Sequence, residues 1–401
     1  MKIAFVIDQF LGVTGGAERA LCVIASGLAQ RGHAVEIVCA DPAEGEPFYP
    51  LDPAVRINRV KPPTRRWTFL TRKLLNAIHR FGLSRTWIGS YLAWVIARRP
   101  LHRLMGAHLG TSRPDVGIAF MRSAIGLMGY GNPPFPRRKI AALRNMPTEE
   151  LDLGRDTQFL FQRWTGIHAI QHFDWITVQL PEYVGDLPAN LQARARVIPN
   201  IVPLPFRRVP WEARDSLAVA VSRLVLQKRM DVLIGAWAQV AGRHPDWRLE
   251  IYGEGQEAAA LRDQIAHLGV QDSVRLMGVT HDIDAVHARA RLMVHPAAFE
   301  GFPNAVSEAL AHGVPVLGYS DCPGLNHLVL DRVNGRLAPA SENRVAALAD
   351  MLKELLADSA QLRGLGANGP QSMAPYSADA IMDLWESLLQ EVAETPQAPP
   401  S

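Results

Sequence analysis

The sequence predicts an α/β protein built from two doubly wound parallel sheets. Three observations carry that expectation. Continuous apolar, β-branched runs of strand length are each followed by a loop and an amphipathic helix, the order that parallel βαβ units require. The alternation stops at a proline-rich stretch and then starts again. The chain has 401 residues, too many for one ordinary domain and enough for two.

The first unit opens with KIAFVID at residues 2–8, a strand buried on both faces, and QFLGVTGG, a loop. AERALCVIASGLAQRG sets Leu21, Ile24 and Leu28 on one helical face and stops at Gly32, a good C-terminal cap. HAVEIVCAD is the next strand, so the pair is parallel with a right-handed crossover. PDVGIAFMRSA, residues 114–124, is a middle strand. VIPNIVPLP, residues 197–205, carries three prolines in nine residues and reads as an interdomain linker. Beyond it come five strand runs: LAVAVSRL, WRLEIYGEG, SVRLMG, RLMVHPA and VPVLGYSD. MDVLIGAWAQVAGRH is a helix, and others start near Gln256, His281, Asn304 and Gly324. The expected domains are 1–200 and 201–375, then an amphipathic helix over 376–392 and a disordered tail over 393–401.

Composition is globular, with 48% apolar and 20% charged residues, and a net charge of +3 gives no reason to expect nucleic acid. The cysteines Cys22, Cys39 and Cys322 form neither a disulfide framework nor a CxxC site, which suits a reducing cytosolic compartment. The first two read as small core residues. The N-terminus is too quickly polar for a signal peptide, and no apolar run reaches 18 residues.

Ligands of open α/β sheets bind at the carboxyl ends of strands. In the first unit that position holds Gly15 and Gly16, whose missing Cβ atoms let backbone amides approach a phosphate. A merely tight turn explains the two glycines equally well, and the GxGxxG of dinucleotide sites is absent. In the second unit, Arg223 and Lys228 follow a strand, where two cations suit a diphosphate; a solvated basic loop is the plainer alternative. FEGFPNAVSEALAHG, residues 299–313, is more specific. Glu300 lies just past a strand end. Gly301, Phe302 and Pro303 form a turn, Asn304 and Ala305 open a helix, and Glu308 sits about one turn along it. The free amides near Asn304 form an anion site. An acid on either side can hold hydroxyls, so the pattern fits a nucleotide-sugar.

These stretches resemble the E-x7-E pattern of the retaining glycosyltransferases of family 4, of the bacterial exopolysaccharide and lipid-linked glycan type. The resemblance takes in SRLVLQKRMDVLIGAWAQV, LEIYGEG, VRLMGVTHDIDAVHARARLMVHPA and, near the N-terminus, TGGAERALCVIASGLAQRGHAVEIV. It implies the GT-B fold: two Rossmann-like domains facing a cleft, with the last helix crossing back to the first. It implies that Arg223 and Lys228 hold the donor diphosphate, Glu300 the transferred sugar and Glu308 the nucleotide ribose. The turn Gly301–Asn304 would line the pocket, and Gly16 would face the diphosphate. Relatives carry a His at the exit of a middle strand of the first domain. Here Phe120, Met121, Arg122 and Ser123 stand there, so Arg122 or Ser123 would contact the acceptor instead.

The implied reaction moves a hexosyl unit from a UDP- or GDP-sugar to a glycan or polyprenyl-diphosphate-linked hydroxyl, through an oxocarbenium-like transition state. Cations and helix N-termini would stabilise the leaving diphosphate, with no metal or other cofactor required. The DxD of Asp282 and Asp284 reads as a helix start. Other readings are a non-catalytic sugar-nucleotide or glycan-binding protein, and a sugar-nucleotide epimerase. A short-chain oxidoreductase is excluded, since none of the seven tyrosines has Lys four residues on.

Between Pro53 and Pro114 stand thirteen Arg or Lys and no acid. Within segment 60–105, Trp67, Leu70, Leu74, Ile78 and Phe81 fall on one helical stripe and Arg65, Arg66, Arg72, Lys73 and Arg80 opposite. That pattern suits a helix on an anionic membrane surface, hence a peripheral protein on the cytoplasmic face. A helix packing its stripe into the first domain is the alternative.

Overall fold

In a computed structural model of the chain, the structure describes residues 1–13, 15–41, 44–60, 73–74, 77, 80, 86, 91, 99–129, 136, 138–151, 160–205 and 209–395. The chain divides into two units, Met1–Ile201 with Asp379–Ser401, and Val202–Ala378.

The first unit is one parallel sheet of seven strands in the order β3-β2-β1-β4-β5-β6-β7. They are β1 (Lys2–Ile7), β2 (Ala34–Cys39), β3 (Arg56–Arg59), β4 (Val116–Phe120), β5 (Arg138–Ala142), β6 (Trp175–Val178) and β7 (Ala195–Val197). All five residues of β4 are buried, as a strand covered on both faces requires. Helix α1 (Gly16–Gln30) joins β1 to β2; α2 (Arg99–Ser112) precedes β4 and α3 (Met121–Gly129) follows it. Strand order reverses between β1 and β4, which makes that junction the topological switch point.

The second unit is a parallel sheet of six strands, β10-β9-β8-β11-β12-β13. These are β8 (Leu217–Val221), β9 (Arg248–Tyr252), β10 (Val274–Gly278), β11 (Leu292–His295), β12 (Val316–Tyr319) and β13 (Gly335–Ala338). Strand β13 is one more than sequence reading finds, because GRLA is short and holds no β-branched residue. Its helices include α4 (Met230–Val240), α5 (Ala258–His267), α6 (Ile283–Arg289), α7 (Asn304–Ala311) and α8 (Leu325–Leu328). The switch point here lies between β8 and β11.

Helix α9 (Ala378–Glu394) returns the chain to the first unit. Its Ile381, Met382, Trp385, Leu388, Leu389 and Val392 join the core that Leu21, Ile24 and Leu28 of α1 form with β1, β2 and β4. Arg196 pairs with Glu391, and His33 Nε2 lies 3.0 Å from Glu386. Of the tail expected over 393–401, Ala393 and Glu394 continue α9, and residues 396–401 lie outside the described residues, as does most of the basic amphipathic helix; of its two faces Lys73, Leu74 and Arg80 are described, all exposed.

Candidate active site

The site of the second unit is built from two loops that leave adjacent strands at its switch point. The loop after β8 is tied to the exit of β9, with Ser222 N donating to Tyr252 O at 3.0 Å and Leu224 N to Glu254 O at 2.8 Å. This close approach requires glycine at 253, where φ is +137° and a Cβ would stand 1.8 Å from the Ser222 carbonyl oxygen. Gln227 then stitches the loop to the exit of β11. Its carbonyl accepts from Ala298 N at 3.0 Å, and its side chain donates to Phe299 O at 2.9 Å. The stitch brings Lys228 onto Glu300, 72 residues away in sequence.

Lys228 Nζ and Glu300 Oε1 form a buried ion pair. The same oxygen lies 2.6 Å from His295 Nε2, on the last residue of β11. Burial pushes the Glu300 carboxyl pKa up, but the Lys228 ammonium and the His295 hydrogen bond more than offset it, and the group falls to about 2. Glu300 is therefore a carboxylate at any working pH. Nothing in the sequence reading pointed to His295; its signal is its position, a polar residue ending an apolar strand five residues before the acid.

The turn Gly301–Pro303 is buried, with the Phe302 ring edge-on to Tyr376 at 5.4 Å. Asn304 begins α7 as expected, and its N-cap residue, Pro303, makes no side-chain capping bond. Glu308 is buried one turn along, its carbonyl accepting from His312 N at 3.0 Å. Arg223 is exposed and makes no ion pair among the described residues. Lys228, Glu300 and His295 are thus in direct contact, with Arg223 and Glu308 on the elements that carry them. Asp282 caps α6 through a bond from Ala285 N at 3.0 Å, and Asp284 lies 2.8 Å from His312 Nε2.

The first unit presents its own residues at its own switch point. Gly15 is the extended N-cap of α1, and a Cβ there would lie 1.9 Å from Glu18 Oε2. The space over the turn is filled by an acidic side chain of the helix's first turn, which favours the positive helix end. Gly16 begins that helix. Arg122 and Ser123 sit half-buried in the first turn of α3, after Met121 at φ +73°. Sequence reading missed a polar cluster beside them. Glu150 Oε2 accepts from Arg144 N and Asn145 N, both at 2.7 Å, and the Arg122 amide also stabilises this carboxylate. Burial pushes Glu150 up to about 7. Arg144, itself buried, lies 4.9 Å over the Phe120 ring and bonds Asn200.

Two Rossmann-like units, each with polar residues at its switch point, define the GT-B fold. Across the whole chain this is the fold of the sucrose-phosphate synthase of Thermosynechococcus elongatus, with a TM-score of 0.78 at 18% identity, covering 98% of each chain. Residues 206–372, which fall within the second unit, match the family described as Glycosyl transferases group 1. An exopolysaccharide phosphotransferase of Streptomyces coelicolor is 29% identical over 98% of this chain and 41% of its own length. The GtfA subunit of a UDP-N-acetylglucosamine–peptide N-acetylglucosaminyltransferase of Streptococcus gordonii is 30% identical over 46% of this chain and 37% of its own. The chain thus spans less than half the length of these two relatives.

Proposed function

We propose that the chain is a retaining glycosyltransferase of family 4, moving a hexosyl unit from a nucleoside-diphosphate sugar to a hydroxyl of a glycan or lipid-linked acceptor in cell-surface polysaccharide synthesis. One observation carries the reading: Lys228 and Glu300, from loops leaving the two switch-point strands, are joined just before the helix that bears Glu308. In the step, the bond from the anomeric carbon to the diphosphate oxygen breaks. The acceptor oxygen bonds to the same face of the sugar, and its proton passes to the departing diphosphate. An ammonium has three donors, so Lys228 can bond Glu300 and still reach a phosphate. Arg223 and the backbone N–H groups of Gly301, Phe302, Asn304 and Ala305 share the leaving-group charge, and no metal enters the step. Glu300 holds the sugar, and Glu308 the ribose. Gly15 and Gly16 belong to the donor side, Arg122 and Ser123 to the acceptor side. UDP is the favoured nucleotide, supported by the name of the GtfA relative, with GDP the other option.

The other relative's name supports a second reading, transfer of a phosphosugar. There the acceptor oxygen bonds to the sugar-side phosphorus, the bond from that phosphorus to the bridging oxygen breaks, and a nucleoside monophosphate leaves with the acceptor's proton. Incubation with a panel of nucleotide-sugars, scored first by the rise in melting temperature, then by product, decides. Release of UDP with a glycosylated acceptor supports sugar transfer, and UMP supports phosphosugar transfer. Binding without release supports a non-catalytic protein, and conversion of the sugar without acceptor an epimerase.

We place the protein at the cytoplasmic face of an anionic membrane, supported by thirteen basic and no acidic residues between Pro53 and Pro114. No helix among the described residues is long and apolar enough to cross a membrane. Flotation with vesicles containing phosphatidylglycerol, against neutral vesicles, tests the placement; equal recovery from both would exclude it.

A further inference from the structure

We infer that Arg144 and Gln179, at the exits of β5 and β6, hold an acidic group of the acceptor: a carboxylate or phosphate with a sugar hydroxyl beside it. That the ligand is the acceptor rests on the glycosyl-transfer reading; that the site takes an acidic sugar rests on the residues of the first unit alone. The β5–β6 pairing runs past the strand ends. Ala142 pairs with Thr177, and Leu143 N then donates to Thr177 O at 3.0 Å. Side chains alternate along a strand, so Arg144 and Gln179, each two residues further on, follow Ala142 and Thr177 on one face and stand level with each other. Arg144 is 9% exposed and Gln179 1%.

A buried arginine normally has its N–H groups taken up by carboxylates or carbonyls. Arg144 does not. Its Nη2 donates to Asn200 Oδ1, and its guanidinium carbon lies 4.9 Å over the Phe120 ring. Its Nε and Nη1 are buried and have no hydrogen-bond partner. The nearby acid does not fill the gap, because Glu150 Oε2 accepts from the backbone amides of Arg144 and Asn145 and Glu150 Oε1 accepts from nothing. Burial lowers the Arg144 pKa to about 10, which still leaves a cation at neutral pH. Gln179 is the complement, since its Oε1 is buried and also without a partner. Unmet donors and an unmet acceptor on neighbouring strands are costly. One ligand satisfies both, with an oxyanion for the guanidinium and an adjacent hydroxyl for the amide oxygen. A bare inorganic oxyanion without a proton would leave Gln179 unmet. The cluster lies near the surface: Asn145, next in the chain, is exposed. Arg122 and Ser123 follow β4, the neighbour of β5, and are half-buried.

The test titrates the purified chain calorimetrically with methyl glucuronide, glucose 1-phosphate and the neutral methyl glucoside, each with and without saturating UDP. The expected result is binding of an acidic probe, with methyl glucoside weaker by about tenfold or more, and no competition from UDP. Preference for methyl glucuronide assigns the oxyanion to a sugar carboxylate, and preference for glucose 1-phosphate to the phosphate of a lipid-linked sugar. Arg144→Met should weaken the acidic probe roughly ten- to a hundredfold, and Gln179→Leu roughly two- to tenfold. The Kd for UDP should stay within about twofold in both, since its diphosphate is assigned to Arg223 and Lys228. Failure of both acidic probes to bind, equal binding of the neutral one, or unchanged affinity in either variant would overturn the inference. So would a matching loss for UDP, which would place Arg144 with the donor. If Arg144→Met does not fold by circular dichroism, the Arg144 Nε–H resonance of the parent takes its place. A shift with the acidic probe and none with methyl glucoside supports the site, and a resonance that moves with neither refutes it. A parent that binds the acidic probe through Arg144 but neither binds UDP nor turns over any nucleotide-sugar removes the transfer reading and leaves the acid site standing.

Discussion

Replacing Lys228 by Met tests the ion pair most directly, because methionine keeps most of the stem and removes only the charge. The surroundings lower Glu300 from an ordinary 4.5 to about 2 against the opposing effect of burial. At about 1.4 kcal/mol per pH unit, that difference is worth roughly 3 kcal/mol to the folded state. The sign follows from the direction. A depressed carboxyl pKa contributes its full stability above pH 4.5, and loses it as pH falls towards 2. About half remains at pH 3. Without Lys228, burial acts on Glu300 with the largest opposing charge removed. Lys228→Met should therefore unfold in urea about 3 kcal/mol more easily at pH 7, within the range for breaking a buried pair. The gap to the parent should shrink by roughly half at pH 3. The chain has two units, so the relevant transition is the one in which the amides of β11 and β12 lose hydrogen-exchange protection. A difference below about 0.5 kcal/mol at pH 7, or one that does not narrow at pH 3, would refute the reasoning.

Gly253→Ala should cost about 3 kcal/mol or more, because the new Cβ would meet the Ser222 carbonyl oxygen at a φ that side chains avoid; urea unfolding reads it. In the first unit the raised Glu150 pKa makes stability decline as pH rises from 4.5 to about 7. Glu150→Gln should remove that decline from the first unit's unfolding curve, whatever it does to the absolute value. Burial pushes Cys22 to about 11, and Cys39 and Cys322 to about 12. A thiol reagent at pH 8 should label none of the three until the protein is unfolded.

The sheets were legible because a strand covered on both faces must be apolar throughout, and KIAFVI and LAVAV show it. Strand β13 was not, since it owes its place to pairing with β12 and not to its own residues. The turn at Glu300 was legible because its glycine, proline and helix start are local features. The Lys228–Glu300–His295 contact was not, because two of its three members meet only through the Gln227 stitch between distant loops.

The buried pair and the strained glycine have one cause. A parallel sheet brings the ends of β8 and β11 side by side, but it also buries whatever those loops place there. A carboxylate kept ionised in that setting must have cations supplied by the protein before any ligand arrives, or burial would protonate it. Lys228 supplies the charge, and its loop comes close enough only because residue 253 has no side chain to hold it away. Glu300→Gln inverts the test of that dependence. It leaves the Lys228 ammonium buried without its partner, so this isosteric change should destabilise the second unit about as much as Lys228→Met does. The double variant Lys228→Met with Glu300→Gln should recover part of that loss, a coupling of roughly 1 kcal/mol or more in a double-mutant cycle. Additive losses would mean that the two side chains do not depend on one another, and the electrostatic account of the site would fall with them.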